Sequence, residues 1–260
     1  MTTPSVTLAE IESAREFLRD VIIETPMQGS RELSTMAGGP VRLKLENLQR
    51  TGSFKTRGAY LRLSRLSEAE RAAGVVAASA GNHAQGVALS AQLLGIKATV
   101  FMPEGAPIPK VNATRGYGAE VVFHGQYLEH SIAAARVFAE ETGAIFIHPF
   151  DHVDVVTGQG TCGLEVVEQA PDLKTVLIPT GGGGLLAGMA IAIKTLRPDV
   201  RVVGVQAEGA AAYPVSLAKG EPVQLNVMNT MADGIAVGRP GDITFAAVRD
   251  YVDDIVTVSE

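Results

Sequence analysis

The stretch Lys44-Leu45-Glu46-Asn47-Leu48-Gln49-Arg50-Thr51-Gly52-Ser53-Phe54-Lys55-Thr56-Arg57-Gly58-Ala59-Tyr60 sets how the rest of the chain is read. It begins as a short amphipathic strand, breaks at Thr51-Gly52 and restarts at Ser53 as a helix. Ser53 has the side chain of an N-cap, able to accept from an unpaired N–H of the first turn. Lys55 then stands at the positive end of a helix dipole, which disfavours an ammonium and lowers the amine's pKa, as a nucleophilic lysine requires. Phe54 adds a flat apolar surface, and Gly52 and Gly58 permit close approach. Taken alone, these residues also describe an ordinary solvated lysine on a capped helix. The motifs further along decide between the two.

On either side of this stretch, strands alternate with helices. Residues 7–20 read as a helix capped by Thr7, with Ile11, Ala14 and Leu18 on one face. Residues 25–27 lead through a polar loop to an alternating strand at 41–45. Downstream, apolar strands at 74–79, 98–102, 120–123 and 145–147 alternate with helices at about 84–94, 109–117 and 127–142. A second series follows: helix 157–169, strand 175–179, helix 185–196, strand 201–205, a loop-rich region containing Asp233-Gly234-Ile235-Ala236-Val237-Gly238, and strand 254–258. This alternation implies parallel sheets joined by right-handed crossovers. The expected fold is α/β in two lobes, residues 73–145 forming the smaller and residues 1–72 plus 146–260 the larger.

A length of 260 residues suits one large domain or two unequal lobes, and 46% hydrophobic with 19% charged residues is ordinary for a globular α/β protein. The net charge of −6 argues against nucleic acid or an anionic membrane as partner. The single cysteine, Cys162, excludes an internal disulfide, fits a reducing compartment and reads as a small buried filler rather than a nucleophile. No apolar run approaches the roughly 20 residues of a spanning helix, and Met1-Thr2-Thr3-Pro4-Ser5 has no leader pattern. A soluble cytoplasmic protein is expected.

Three motifs carry chemistry. Gly181-Gly182-Gly183-Gly184 follows a strand and opens a helix, so that backbone N–H groups and the helix dipole converge where no Cβ intervenes, a natural cradle for phosphate. It has neither P-loop spacing nor a clean dinucleotide fingerprint. Ser79-Ala80-Gly81-Asn82-His83 holds the matching position in the small lobe and offers a hydroxyl, N–H groups and an amide, a fit for a carboxylate; it also fits a plain capped helix start, with His83 a satisfied helix histidine. A lysine at a helix start, a phosphate cradle and a carboxylate cradle together suit an aldehyde cofactor with a phosphate tail, pyridoxal 5'-phosphate, serving as electron sink for an amino acid.

The chain resembles threonine dehydratases (threonine ammonia-lyases) among the fold-type II pyridoxal-phosphate enzymes, tryptophan synthase β-like in fold. The likeness rests on LENLQRTGSFKTRGA in residues 44–60, SAGNHAQG at 79–86 and TGGGGLLAG at 180–188. His148-Pro149-Phe150-Asp151, Gly158-Gln159-Gly160-Thr161 and Asp233-Gly234-Ile235-Ala236-Val237 add to it. The resemblance implies two three-layer lobes with the cofactor between them. It makes Lys55 the catalytic lysine that carries the cofactor as a Schiff base, with Phe54 packing on the ring and Asn82 bonding the ring hydroxyl. Gly181, Gly182, Gly183, Gly184 and Leu185 would hold the phosphate, Gly234 would line the cofactor site, and Ser79, Ala80, Gly81, Asn82 and His83 would receive the substrate carboxylate.

The implied reaction is elimination of water from L-threonine, and L-serine, giving 2-oxobutanoate or pyruvate and ammonia, within amino-acid metabolism such as isoleucine biosynthesis. Serine racemases of this family carry a serine at the position of Ala80 as a second acid/base, so Ala80 favours dehydration. Hydroxyaspartate dehydration, β-replacement, a nucleotide-binding module and a catalytically silent ligand-binding paralogue are the rivals. A cation site is expected to be absent: Glu208 and Ala212 match two of the family's ligands, but Pro214 stands where an aspartate is needed. The family's Ser-Gly-Gly-Asn segment and a regulatory domain have no counterpart before Glu260, as in a fragment or a cofactor ring lacking one partner. Exposed apolar surface and aggregation would follow. A homo-oligomer, dimer or tetramer, is expected by resemblance alone.

Overall fold

Thr7 and Glu10 cap each other's orphan N–H groups at the start of α1 (Leu8–Leu18), which buries Ile11, Ala14 and Leu18. The computed structural model describes residues 6–260; residues 1–5, read above for a leader pattern, lie outside the described residues. After α1 come β1 (Met27–Gly29), α2 (Arg31–Ala37), β2 (Arg42–Lys44), α3 (Lys55–Ser64) and α4 (Glu68–Ala73). The small-lobe series is β3 (Val75–Ala78), α5 (Asn82–Leu94), β4 (Ala98–Met102), α6 (Ile108–Gly116), β5 (Glu120–Phe123), α7 (Leu128–Thr142) and β6 (Ile145–Phe146). The second series is α8 (Val153–Gln169), β7 (Thr175–Pro179), α9 (Gly184–Leu196), β8 (Arg201–Ala207), α10 (Ala212–Lys219), α11 (Asp242–Tyr251) and β9 (Asp254–Val258).

Two parallel sheets result, in the orders β5-β4-β3-β6 and β7-β8-β9, beside an antiparallel β1-β2 pair. In the first sheet Val75 lies opposite both Ala98 and Ile145. All four residues of β3 are buried, because Val75 and Ala77 pack with α3 and α5 while Val76 and Ala78 pack with α7. A strand covered on both faces reads as a continuous apolar run rather than an alternation. The second core gathers α8, α9, α11 and the β7-β8 sheet. Cys162 belongs to it; burial pushes its thiol up to about 12, the condition of a filler rather than a nucleophile.

The second series departs from the sequence expectation in a consistent way. Helix α8 starts at Val153 rather than near 157, and α10 and α11 occupy the region read as loop. None of the three has a conventional Ser, Thr, Asp or Asn cap beside it in sequence. His152 Nδ1 accepts from Asp154 N at 3.1 Å, Gln206 Oε1 accepts from Tyr213 N at 2.9 Å, and Asp151 accepts from Asp242 N and Ile243 N, each at 2.9 Å. A histidine in the cap position, and caps supplied from outside the helix and its flanking residue, leave no conventional local signature. Helices α2 and α4 and strand β1 were not anticipated either; they are short, and neither helix buries a residue.

Helices α3, α8 and α9 cross closely enough that glycine is required. A Cβ on Gly58 would lie 2.7 Å from Val155 O, and one on Gly158 2.6 Å from Gly58 Cα, while Gly163 faces Met189 Cα at 3.0 Å. The α3–α8 contact encloses Arg57, which is 0% exposed. Its Nε and Nη2 donate to Glu46 at 2.9 and 2.8 Å, its Nη1 and Nη2 to Glu165 at 2.5 and 2.9 Å, and its Nη1 to Thr161 Oγ1 at 3.1 Å. Lys44 Nζ completes a neutral four-charge cluster by pairing with Glu165. Removing one partner of a buried pair strands the other's charge in low dielectric. Arg57→Met is therefore expected to lower the free energy of unfolding by about 3–5 kcal/mol in denaturant titrations; an unchanged midpoint would show that the cluster does not clamp α3.

Candidate active site

Lys55 is the first residue of α3. The expected Ser53 cap is corrected here: Phe54 holds the cap position with helical φ and ψ and no side-chain cap bond, and Ser53 Oγ accepts only a long 3.4 Å bond from Lys55 N. A compact turn around buried Thr51 and Ser53, with Thr51 Oγ1 2.9 Å from Thr56 Oγ1, starts the helix instead. The Lys55 side chain runs inward to donate from Nζ to Pro149 O at 2.8 Å, with the Phe54 ring centroid 5.3 Å away. Burial, rather than the helix dipole invoked from sequence, brings its amine down to about 8. An amine lowered in this way loses its proton far more readily near neutral pH than an ordinary lysine does. Helix α5 presses on this residue, for a Cβ on Gly86 would lie 3.2 Å from Lys55 Cβ.

Residues 79–83 form the turn from β3 into α5. Ser79 Oγ accepts from Gly81 N at 3.1 Å, Gly81 takes the cap position and Asn82 begins the helix. His83 is buried, with Nε2 2.9 Å from Ile147 O. Burial and the neighbouring Lys55 bring its pKa down to about 3, so the ring is neutral and Nε2 carries the proton it donates to that carbonyl. His83 is thus a satisfied helix histidine. Ala80 brings no titratable group to the loop.

The glycine loop sits at the N-terminus of α9, and each of its four members is held against protein on one side. A Cβ on Gly181 would lie 3.0 Å from Val237 Cγ2 and one on Gly184 3.0 Å from Phe150 Cβ; on Gly182 it would overlap the Phe150 ring and on Gly183 the Tyr213 hydroxyl. Gly183 also needs φ = 97°, in the left-handed region. The loop is braced by Thr244 Oγ1, which donates to Gly182 O at 2.7 Å, and by Tyr213 Oη, which donates to the same carbonyl at 3.3 Å. No hydrogen bond among the described residues uses the N–H groups of Gly183, Gly184 or Leu185, the orphan donors of a helix start.

Residues 147–151 draw these pieces together. Ile147 O takes His83, Pro149 O takes Lys55, the Phe150 ring backs Gly182, and Asp151 accepts from the first amides of α11, the helix that carries Thr244. His148 closes the turn: its Nδ1 accepts from Asp151 N at 2.8 Å, a role open only to a neutral ring, and burial brings its pKa down to about 4. Gly234 lies in a short exposed turn with open space around it, although its neighbour Ile235 abuts Gly181. Glu208 is exposed while Ala212 is buried at the start of α10, and no trio of His, Cys, Asp or Glu among the described residues is placed to hold a metal. Sequence reasoning missed Phe150, Asp151, Tyr213 and Thr244 as supports of the loop. The motif His148-Pro149-Phe150-Asp151 was their one visible trace.

A loop whose central glycines reject a Cβ, and which leaves N–H groups unpaired at the start of a helix, fits a phosphate, and a buried amine of lowered pKa fits an aldehyde. The family described as pyridoxal-phosphate dependent enzyme matches residues 18–260. The chain belongs to this family. It is 49% identical over 255 residues to an L-threonine ammonia-lyase of Thermotoga maritima, covering 98% of the chain and 64% of that protein's length. Among solved structures it superposes on the processed form of threonine deaminase isoform 2 from Solanum lycopersicum with TM-score 0.93 and 41% identity, covering 97% of this chain and 69% of that one. A maize serine racemase gives TM-score 0.94 and 36% identity over 98% of this chain and 78% of that one. The two parallel sheets are those of the fold-type II members, and pyridoxal phosphate is the family's cofactor. No helix of the described residues is long and apolar enough to cross a membrane.

The lowered amine gives a direct test. In the cofactor-free chain, the rate of reductive methylation of Lys55, followed by peptide mass spectrometry, should rise with a midpoint near pH 8, below that of the exposed lysines. A Lys55 midpoint shared with the exposed lysines would remove burial as the source of its reactivity.

Proposed function

We propose that the chain catalyses the dehydration and deamination of L-threonine, and of L-serine, to 2-oxobutanoate or pyruvate with release of ammonia. The observation that carries this is the Lys55 amine, held on Pro149 O next to the Phe150 ring that backs the glycine loop. When bound, pyridoxal phosphate supplies an electron sink for negative charge at the substrate Cα. Residues 181–185 would hold its phosphate through their N–H groups, with Phe54 beside the ring and Gly234 at the margin of the site. The first-turn amides of α5 and the Ser79 hydroxyl would orient the substrate carboxylate, fixing the amino acid before any bond breaks. Lys55, unprotonated in part near neutral pH, would take the Cα proton at Nζ.

Loss of the β-hydroxyl needs a proton-transfer group on one face only. Ala80 puts none on the other, which supports elimination over racemisation even though a serine racemase is among the similar structures. We take residues 73–145 as the smaller lobe and residues 1–72 plus 146–260 as the larger, since the four-stranded sheet lies almost wholly in the first span and the three-stranded sheet in the second. Assembly as a homo-oligomer belongs to this reading through family likeness.

The test is the visible absorbance of the purified protein with pyridoxal phosphate, before and after L-threonine. A band that changes on addition, with 2-oxo acid accumulating and no D-amino acid, is the expected result; D-serine formed from L-serine at a comparable rate would favour the racemase. Lys55→Ala should reduce 2-oxo acid formation to background while leaving the unfolding midpoint of the cofactor-free chain near that of the parent. Turnover retained by that variant would sink the assignment.

A further inference from the structure

One basic side chain outside the motifs reaches the site. Lys110 lies in the first turn of α6, where its N–H donates to Pro107 O at 2.9 Å and its carbonyl accepts from Thr114 Oγ1 at 2.9 Å. The adjacent Val111 is rooted in the small-lobe core. From this fixed base the side chain crosses to α5, and Nζ donates to Asn82 Oδ1 at 3.2 Å. Lys44, Lys97, Lys194 and Lys219 each meet a carboxylate, whereas Lys110 meets none among the described residues. A positive charge without an acidic partner therefore stands beside the turn at residues 79–83.

The chemistry of the pair settles which way Asn82 faces. An ammonium has three donors and no acceptor, so only the amide oxygen can meet it. The amide nitrogen, often interchangeable with the oxygen in structures, is thereby assigned to the opposite edge, where it can only donate. Asn82 is the first residue of α5, directly before His83, whose ring is locked on Ile147 O. Its backbone has little freedom to undo that orientation.

We propose that Lys110 is a positioning residue: its ammonium holds Asn82 with the amide NH2 group presented to an anionic oxygen on the bound cofactor ring, and its charge favours that anion. The inference rests on the reading of the site given above. Two effects follow from one contact. Loss of the ammonium frees the Asn82 amide to rotate, which weakens cofactor binding. It also removes a cation that stabilises the deprotonated form of the bound chromophore, which raises the pH at which its visible band changes.

The experiment uses the full chain as parent, Lys110→Met, Lys110→Arg, Asn82→Ala and the Lys110→Met/Asn82→Ala pair. Dissociation constants for pyridoxal phosphate come from quenching of tyrosine fluorescence, and the pH profile from the visible absorbance of the loaded protein. Lys110→Met should weaken binding about tenfold, in the range of one hydrogen bond to a charged group, and move the profile to higher pH. Lys110→Arg, which keeps the charge and a donor, should restore most of both. In the Asn82→Ala background Lys110→Met should change the affinity by much less than it does alone, because the groups act in series.

The unfolding midpoint of the cofactor-free chain should not move, which separates positioning from general support; should Lys110→Met fail to fold, Lys110→Gln serves the same comparison. Unchanged affinity and profile in Lys110→Met, with a parent that binds, overturn this proposal alone. A full-sized loss from Lys110→Met in the absence of the Asn82 side chain also overturns it. A parent that takes up no pyridoxal phosphate overturns the reading of the site, and this proposal with it.

Discussion

Every part of the site depends on the segment that leaves β6 and bends at Pro149 and Phe150. Two of its carbonyls serve the α3 and α5 side, Ile147 O fixing the neutral His83 ring and Pro149 O the Lys55 amine. Phe150 and Asp151 face the second sheet, where the ring blocks any Cβ on Gly182 and the carboxylate caps α11. The segment thus joins a reactive amine from α3, a binding turn from α5 and an anion cradle at α9. Its own shape is held by a histidine that must stay neutral to accept from Asp151 N.

The buried charge cluster secures the same first turn of α3 that carries Lys55. Arg57 is two residues beyond Lys55, and its guanidinium reaches Glu46 from the preceding turn and Glu165 from α8. Such clusters contribute little net stability compared with apolar packing, but a misplaced partner is costly, so they specify one arrangement. With the Gly58–Gly158 approach, this fixes the distance and rotation of α3 against α8. Lys55 is therefore carried on an element with little freedom, and only its side chain needs to move. A helix that must both approach closely and hold a charge explains why one charged residue stands among small ones in Thr56-Arg57-Gly58-Ala59.

Long-range polar contacts complete the cradle. Gln206 donates to Thr180 O at 3.2 Å and accepts from Tyr213 N, linking the entrance of the glycine loop to α10. Tyr213 and Thr244 then converge on Gly182 O. A phosphate cradle works by presenting donors at fixed points, and these bonds remove the freedom that four consecutive glycines would otherwise have.

The order of strands and helices in the first series was legible in the sequence, because buried strands such as residues 75–78 and 98–102 are apolar runs, with Thr99 the one polar residue in them, closed by glycine or polar turns. The glycine loop, the turn at 79–83 and Lys55 were legible for the same local reason: each is a strand-to-helix junction with an unusual composition. Helices α10 and α11 and the true start of α8 were not, since their first amides are satisfied by Gln206, Asp151 and a histidine rather than by a neighbouring serine or aspartate. Nor was the source of the Lys55 shift, which comes from burial against Pro149 and not from its place in the helix. By itself the sequence determined which residues carry chemistry, because backbone freedom and side-chain type are local properties. Only the tertiary structure decided how they meet, because desolvation and caps from distant residues exist only once residues 147–151 lie between the two sheets.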